Sequence, residues 1–301
     1  TAVDVMALSW IRPLLKRMPG VDGVVSMPIG HGRLALAERY RIGKSMRGRY
    51  DQAIVLPNTL KSALIPWFAR IPRRTGYTGE SRYGLLNDRR DLDKAGMPRL
   101  VTRYTALGHG RDFKLEDQPL YPRLAVTEDQ QQRSCDELAI ECPEAPVLGL
   151  CPGAEYGEAK RWPVEHYAEV ARHALGQGQP VWLFGSAKDK VVTAQINELC
   201  KGECLDLAGR TSLDQAIDLM SLTGTVVTND SGLMHVACAL GRQVIALYGS
   251  SSPDYTPPLS DRASVLSLGL ECSPCFQREC PLGHMDCLRQ LAPDQVIQAL
   301  A

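Results

Sequence analysis

The sequence predicts an α/β protein built from two doubly wound, parallel-sheet domains, and three observations lead there. The chain has 301 residues, more than one ordinary hydrophobic core accommodates and a length that suits two domains. Short apolar runs alternate with helical runs over nearly the whole sequence, the pattern of parallel strands joined by crossover helices. A polar stretch over 110–146, carrying Pro119, Pro122, Pro143 and Pro146, breaks that alternation and reads as an interdomain connection with one short strand. The expected domains are 1–143 and 144–301.

In the first domain, strands are predicted over 2–8, 23–27, 52–57 and 71–76, and helices over 10–17, 33–47 and 59–69. Asn58 precedes the periodic run Leu60, Ala63, Leu64, Trp67, Phe68 and suits a helix N-cap. In the second domain the predicted order is strand 147–151, helix 163–176, strand 180–184, helix 189–200, strand 204–207, helix 213–221, strand 224–228, helix 233–240 and strand 243–248. Pro163 fits a first helical turn, Gly176 or Gly178 a helix end, and Ser212 a cap for the helix that begins at Leu213. Such a unit binds ligands beyond the C-terminal ends of its strands. No internal repeat at solenoid periods is found.

Composition excludes several classes. Lys+Arg and Asp+Glu both number 34, so no global field draws the protein to nucleic acid. An aromatic fraction of 6% argues against a base-stacking surface. No apolar run approaches bilayer length and no signal peptide is present, so a cytoplasmic location without a transmembrane segment is expected. Cys135, Cys142, Cys151, Cys200, Cys204 and Cys238 are scattered, several in apolar runs; reduced buried thiols are expected rather than disulfides. The chain opens at Thr1 directly into a predicted strand, and its natural N-terminus is expected to lie upstream.

Three loops of the second domain hold unusual residues. The first runs from Cys151-Pro152-Gly153-Ala154-Glu155 through Lys160-Arg161-Trp162-Pro163 to a helix N-terminus. Backbone N–H groups and the helix dipole favour an anion there, and Lys160 could stabilise charge on a leaving diphosphate. Solvated loop charges are the competing reading. The second is Phe184-Gly185-Ser186-Ala187-Lys188-Asp189. Gly185 allows close backbone approach, and Asp189 suits either a ribose diol or a plain helix-terminal acid. The third is Asn229-Asp230-Ser231-Gly232-Leu233-Met234-His235. Asp230 or Ser231 would cap the next helix, Gly232 would admit a phosphate, and His235 lies about one turn in. A packing histidine is the alternative for His235. None of these is a Walker A loop, a Rossmann glycine fingerprint or a serine nucleophile elbow.

Taken together, those three loops are similar to the ADP-heptose:lipopolysaccharide heptosyltransferases of glycosyltransferase family 9, most of all the heptosyltransferase II branch. Leu56-Pro57-Asn58, Lys61-Ser62-Ala63-Leu64, Arg74-Thr75-Gly76 and Arg82-Tyr83-Gly84-Leu85-Leu86-Asn87-Asp88 extend the resemblance over essentially the whole chain. It implies a GT-B fold, two Rossmann-like domains facing across a cleft, and inverting transfer of heptose from ADP-heptose to heptosyl-Kdo2-lipid A at the inner face of the inner membrane, with no required cofactor. By position, Lys160 would hold the diphosphate and Asp189 the ribose. Asp230, Ser231, Gly232 and His235 would line the pyrophosphate and sugar site, with Gly153, Ala154, Glu155 and Gly185 also on the donor side. Asn58, Lys61, Arg73, Arg74 and Arg82 would meet the phosphates and carboxylates of the acceptor. The presumed base of the family, an Asp after its first strand, has no counterpart here. The resemblance therefore implies that this 301-residue sequence binds ADP through 147–301 without transferring heptose. A sugar-nucleotide epimerase on the same fold and a non-catalytic binder of the lipid A core are the alternatives; turnover of the donor with and without acceptor separates them.

Near the end come Cys272-Ser273-Pro274-Cys275, Cys280 and Cys287. The set is compatible with tetrahedral structural zinc, with His284 as a substitute ligand; free thiols are the preferred reading. Such a tail is present in many relatives and absent from others, which implies no catalytic role for it.

Overall fold

The computed structural model describes residues 1–111 and 121–300. Their contacts fall into two units. One holds Thr1–Ser26, the chain from 121 to Pro253, and the chain from Pro257 onward; the other holds Met27 to residue 111 with Asp254–Thr256. The contacts thus draw a different division from the expected one at residue 143.

The chain begins with β1 (Asp4–Leu8), α1 (Arg12–Lys16) and β2 (Gly23–Met27), and β1 and β2 form a two-stranded sheet of their own. A buried ion network explains why this segment groups with the larger unit. Arg17 donates to Asp218 from Nη2 at 2.6 Å and to Asp214 from Nη1 at 2.6 Å, and Ser134 donates to the other oxygen of Asp218 at 3.0 Å. A charged group this far from water is tolerable only when paired and hydrogen-bonded.

The smaller unit comprises α2 (Leu36–Ser45), β3 (Gln52–Ile54), α3 (Leu60–Phe68), β4 (Arg73–Tyr77), β5 (Asp88–Arg90) and α4 (Leu100–Gly108), with a parallel sheet ordered β3-β4-β5. Its small core gathers Val55, Ala63 and Leu86. Strand β5 and helix α4 are not among the expected elements: β5 reads Asp-Arg-Arg, with no apolar signal. Asn58 does not cap α3. The N-cap position falls to Thr59, which makes no side-chain cap bond, and Glu80 instead accepts from the Leu60 N–H at 2.8 Å.

The larger unit continues with α5 (Glu128–Glu137), β6 (Val147–Cys151), α6 (Val164–Gly176), β7 (Val181–Leu183), α7 (Lys190–Leu199), β8 (Leu205–Asp206), α8 (Leu213–Met220), β9 (Thr223–Asn229), α9 (Gly232–Ala239), β10 (Gln243–Leu247), β11 (Ala263–Leu266), α10 (Asp286–Arg289) and α11 (Pro293–Leu300). The six-stranded sheet is ordered β11-β10-β9-β6-β7-β8, and all its pairings are parallel. Leu148, Leu150, Val227, Ile245 and Leu247 face one helix layer, and Val147, Cys151, Val226, Val244 and Ala246 the other. That is the period-two alternation of a sheet buried on both sides.

Caps set the helix ends. Ser212 forms a capping box with Gln215, as expected. Pro163 occupies the N-cap position, one residue ahead of α6, and Gly178 adopts φ +77° just beyond the end of that helix. In the stretch expected to be irregular, Thr127 and Gln130 make a second capping box that starts α5; no strand is found there among the described residues. Cys135 and Cys142 form a disulfide, against the expectation of reduced thiols, with Cα atoms 5.8 Å apart, a separation a bridge spans.

Candidate active site

In the six-stranded sheet the chain starts at β6, winds out through β7 and β8, then returns to place β9 on the opposite side of β6. The loops after β6 and β9 therefore leave in opposite directions and open a crevice at the topological switch point. Asn229, fully buried at the end of β9, ties the two loops together. Its Nδ2 donates to the Pro152 carbonyl at 2.8 Å, and its Oδ1 accepts from the Trp162 N–H at 3.2 Å and lies 3.1 Å from the Tyr167 hydroxyl. Trp162 is anchored by its indole N–H on the Leu291 carbonyl at 2.9 Å. These bonds give the loop over 152–163 one course.

At the crevice, Lys160 Nζ donates to Asp230 Oδ2 at 2.5 Å, with only 17% and 6% of the two side chains exposed. The same ammonium lies 5.0 Å from the centre of the Tyr156 ring, a cation–π geometry. Ser231 takes the N-cap position of α9 but makes no side-chain cap bond; its hydroxyl sits 3.3 Å from that of Thr228. Neither Asp230 nor Ser231 thus caps the helix as expected, and the first N–H groups of α9 face the crevice without a side-chain acceptor. His235 is largely buried one turn in. Burial lowers its pKa, with Asp230 opposing and Lys160 adding to the shift, which keeps the ring neutral at pH 7.

Asp189 stands across from these residues. Its Oδ2 accepts from both the backbone N–H and the hydroxyl of Ser186, each at 2.8 Å, so it closes a capping box. Gly153 and Gly185 make room for it: a Cβ on Gly153 would lie 2.5 Å from Asp189 Cγ, and one on Gly185 2.8 Å from Asp189 Cβ. Ala154 is buried beside this group. Glu155 does not join it, because its carboxylate pairs with Lys188 at the surface. Ser250 and Ser251, just beyond β10, are not among the residues expected from the sequence. Both are buried, and neither hydroxyl has a partner; the Gly249-Ser250-Ser251-Ser252 run after an apolar strand is the signal that marks them.

In the smaller unit the expected acceptor residues separate into two kinds. Arg82, 2% exposed, donates to the carbonyls of Pro57 and Tyr77 and to Asn58 Oδ1. Arg74 donates to the carbonyls of Leu85 and Ile71, both at 2.6 Å. These two guanidinium groups and Asn58 hold the unit's own loops, which leaves them poorly placed to meet an acceptor. Arg73 is half-exposed and shares Asp88 with Arg90 and Arg111. Its neighbours, Arg90 foremost, hold the Asp88 carboxyl far below the usual range against the effect of burial. Lys61 is half-buried, and its carbonyl accepts from Arg39.

The model of glycosyltransferase family 9 (heptosyltransferase) matches residues 39–286. The chain belongs to this family. The glycosyltransferase is 47% identical to lipopolysaccharide heptosyltransferase 2 of Escherichia coli K12 over 99% of this chain and 88% of the relative. It is 51% identical to lipooligosaccharide heptosyltransferase 2 of Haemophilus influenzae Rd over 88% and 80% of the two chains. Among solved structures, ADP-heptose LPS heptosyltransferase II of E. coli superposes with a TM-score of 0.86 at 45% identity, covering 99% of this chain and 88% of that one. The E. coli heptosyltransferase WaaC solved with ADP gives 0.71 at 18% identity, over 100% and 90%, a likeness of fold. The expected GT-B class of α/β fold is borne out. Among the described residues no helix is long and apolar enough to cross a membrane, and no His, Cys, Asp and Glu side chains are already gathered as a metal-ligand set.

Proposed function

We propose that this glycosyltransferase moves a heptose, with inversion, from ADP-L-glycero-β-D-manno-heptose to the heptosyl-Kdo2-lipid A inner core. Its similarity over nearly the full chain to heptosyltransferases 2 supports the substrate class. The observation that carries the chemistry is the Lys160–Asp230 pair at the switch point beside the uncapped start of α9. Breaking the anomeric bond leaves negative charge on departing ADP. A diphosphate seated against the α9 N–H groups meets the positive end of the helix dipole, about half a unit charge. The Lys160 ammonium, oriented by Asp230, neutralises the growing charge. His235, neutral, offers a hydrogen bond without adding a proton. The ribose lies against Asp189, whose Oδ1 is left by the Ser186 bonds, and Gly153 and Gly185 let the nucleotide approach the backbone.

On the acceptor side, Arg73 and Lys61 are the expected residues whose side chains do not hold the smaller unit's loops, and they suit the phosphates and carboxylates of a lipid A core. The enzyme works as a peripheral protein on the cytoplasmic face of the inner membrane and requires no cofactor for transfer. Incubating the full-length gene product with ADP-heptose, with and without acceptor, tests this reading. ADP release and a heptosylated product that both depend on acceptor support it. A changed sugar nucleotide formed without acceptor would instead mark an epimerase, and an unconsumed donor a non-catalytic binder.

A further inference from the structure

We propose that Cys272, Cys275, Cys280 and Cys287 bind one thiophilic divalent cation, zinc or ferrous iron, and that this centre clamps the loop carrying Lys160. All four cysteines line one small cavity of about 20 Å3, room for a single ion or water. Cys287 lies within electrostatic range of each of the other three. The Cys272-x-x-Cys275 pair has a common zinc-ligand spacing, and four sulfurs without an oxygen ligand select zinc or iron over calcium or magnesium. His284 also borders the cavity, but its Nδ1 accepts from the Asp286 N–H at 2.9 Å, which leaves the four cysteines as the ligand set.

One feature of the cavity goes beyond the cysteines themselves. Ser250 also lines the cavity; it is 1% exposed and its hydroxyl has no partner. A buried hydroxyl without a partner is costly, and a thiolate sulfur on the bound ion supplies the acceptor it lacks. Among the described residues the four are not already gathered as a closed ligand set, and the bound ion would draw each sulfur to about 2.3 Å from itself.

The same segment holds the donor loop. Ala159 borders the cavity and donates its N–H to the Arg278 carbonyl at 3.1 Å. The Tyr156 hydroxyl donates to the Phe276 carbonyl at 2.8 Å, and Lys160 Nζ and Arg278 Cζ lie 5.0 and 5.2 Å from the centre of the Tyr156 ring. Gly157 packs so closely on the Arg278 backbone that a Cβ there would overlap its carbonyl oxygen. Fixing Cys275 and Cys280 therefore fixes residues 276–279 between them, and through those carbonyls the position of Tyr156, Ala159 and Lys160. The proposal rests on the donor-site reading only for its effect on ADP.

Elemental analysis of the purified protein, by mass spectrometry, is the first test, followed by anaerobic chelation and hydrogen exchange. We expect about one equivalent of zinc or iron, the analysis telling the two apart. Removing the metal should lower the melting temperature and strip exchange protection from the Ala159 amide, and should weaken ADP binding by about tenfold or more. Restoring the metal should reverse all three. Cys280→Ser and Cys287→Ser should lose metal and show the same loss of protection. Protein that carries no metal and takes up none when offered stoichiometric zinc or ferrous iron overturns the site. Metal that leaves without changing Ala159 exchange overturns the clamp. If the parent protein does not bind ADP, the donor-site reading fails, while metal content and Ala159 exchange still decide this one.

Discussion

Replacing Lys160 by alanine removes one member of a nearly buried ion pair at the crevice, and two consequences can be worked out. Deleting one partner of a fully buried pair costs about 3–5 kcal/mol, because the other charge is left unpaired. Here the pair is 2.5 Å long, and the 17% exposure of Lys160 admits water to the 6%-exposed Asp230. A stability loss of about 1–2 kcal/mol is therefore expected. ADP binding should suffer more. The variant loses a charge-assisted hydrogen bond, about 1.5–3 kcal/mol, and the diphosphate then approaches an uncompensated Asp230 carboxylate. At about 1.4 kcal/mol per tenfold, the Kd for ADP should rise about 10- to 100-fold or somewhat more. Calorimetric titration of ADP into parent and variant reads this directly. The double variant Lys160→Ala/Asp230→Asn should recover part of the affinity, because the repulsion is gone. Parental affinity in Lys160→Ala would refute the placement of the diphosphate.

Three further outcomes are expected. Asp189→Ala should lose a capping interaction of about 1 kcal/mol and should also weaken ADP binding; a lower melting temperature with unchanged affinity would leave Asp189 only its bonds to Ser186. His235 has a folded pKa depressed by burial below its ordinary 6.5. The stability its neutral ring contributes is thus present above about pH 6.5 and lost as pH falls toward the folded value; His235→Gln should flatten melting temperature against pH in that window, and parallel curves for the two proteins would contradict this. Arg17→Ala leaves Asp218 buried without its cation and should cost about 3–5 kcal/mol in urea unfolding, a loss under about 1 kcal/mol counting against a structural role for the network.

The larger unit is legible in the sequence because its strands are buried on both faces. Continuous apolar runs such as Val147–Cys151, bounded by Gly, Pro and Ser, leave little freedom in placing elements, and β6 and its neighbours fall within a residue or two of expectation. The smaller unit is harder to read. Strand β5 is made of Asp88, Arg89 and Arg90 and owes its place to ion pairs among distant residues, which periodicity does not record. Helix α5 has a polar face and a capping box but few apolar residues, so its Gln- and Glu-rich sequence looks like a linker. At the site, strand-to-helix loops mark Lys160, Asp189 and Asp230, because charged residues at those turns have few structural uses. Which arginines hold backbone carbonyls is not readable: Arg73, Arg74 and Arg82 are alike in sequence, and only tertiary packing turns Arg74 and Arg82 inward. Glu155 looks like part of the donor loop and is drawn off by Lys188, 33 residues away.

A nucleoside diphosphate is expected to sit at the switch point between the loops after β6 and β9. A crystal structure of the protein with ADP decides this. Diphosphate oxygens are expected within hydrogen-bonding distance of Lys160 Nζ and of the first N–H groups of α9, with the ribose beside Asp189. Density for ADP elsewhere on the protein, with Lys160 bonded to Asp230 alone, would contradict it.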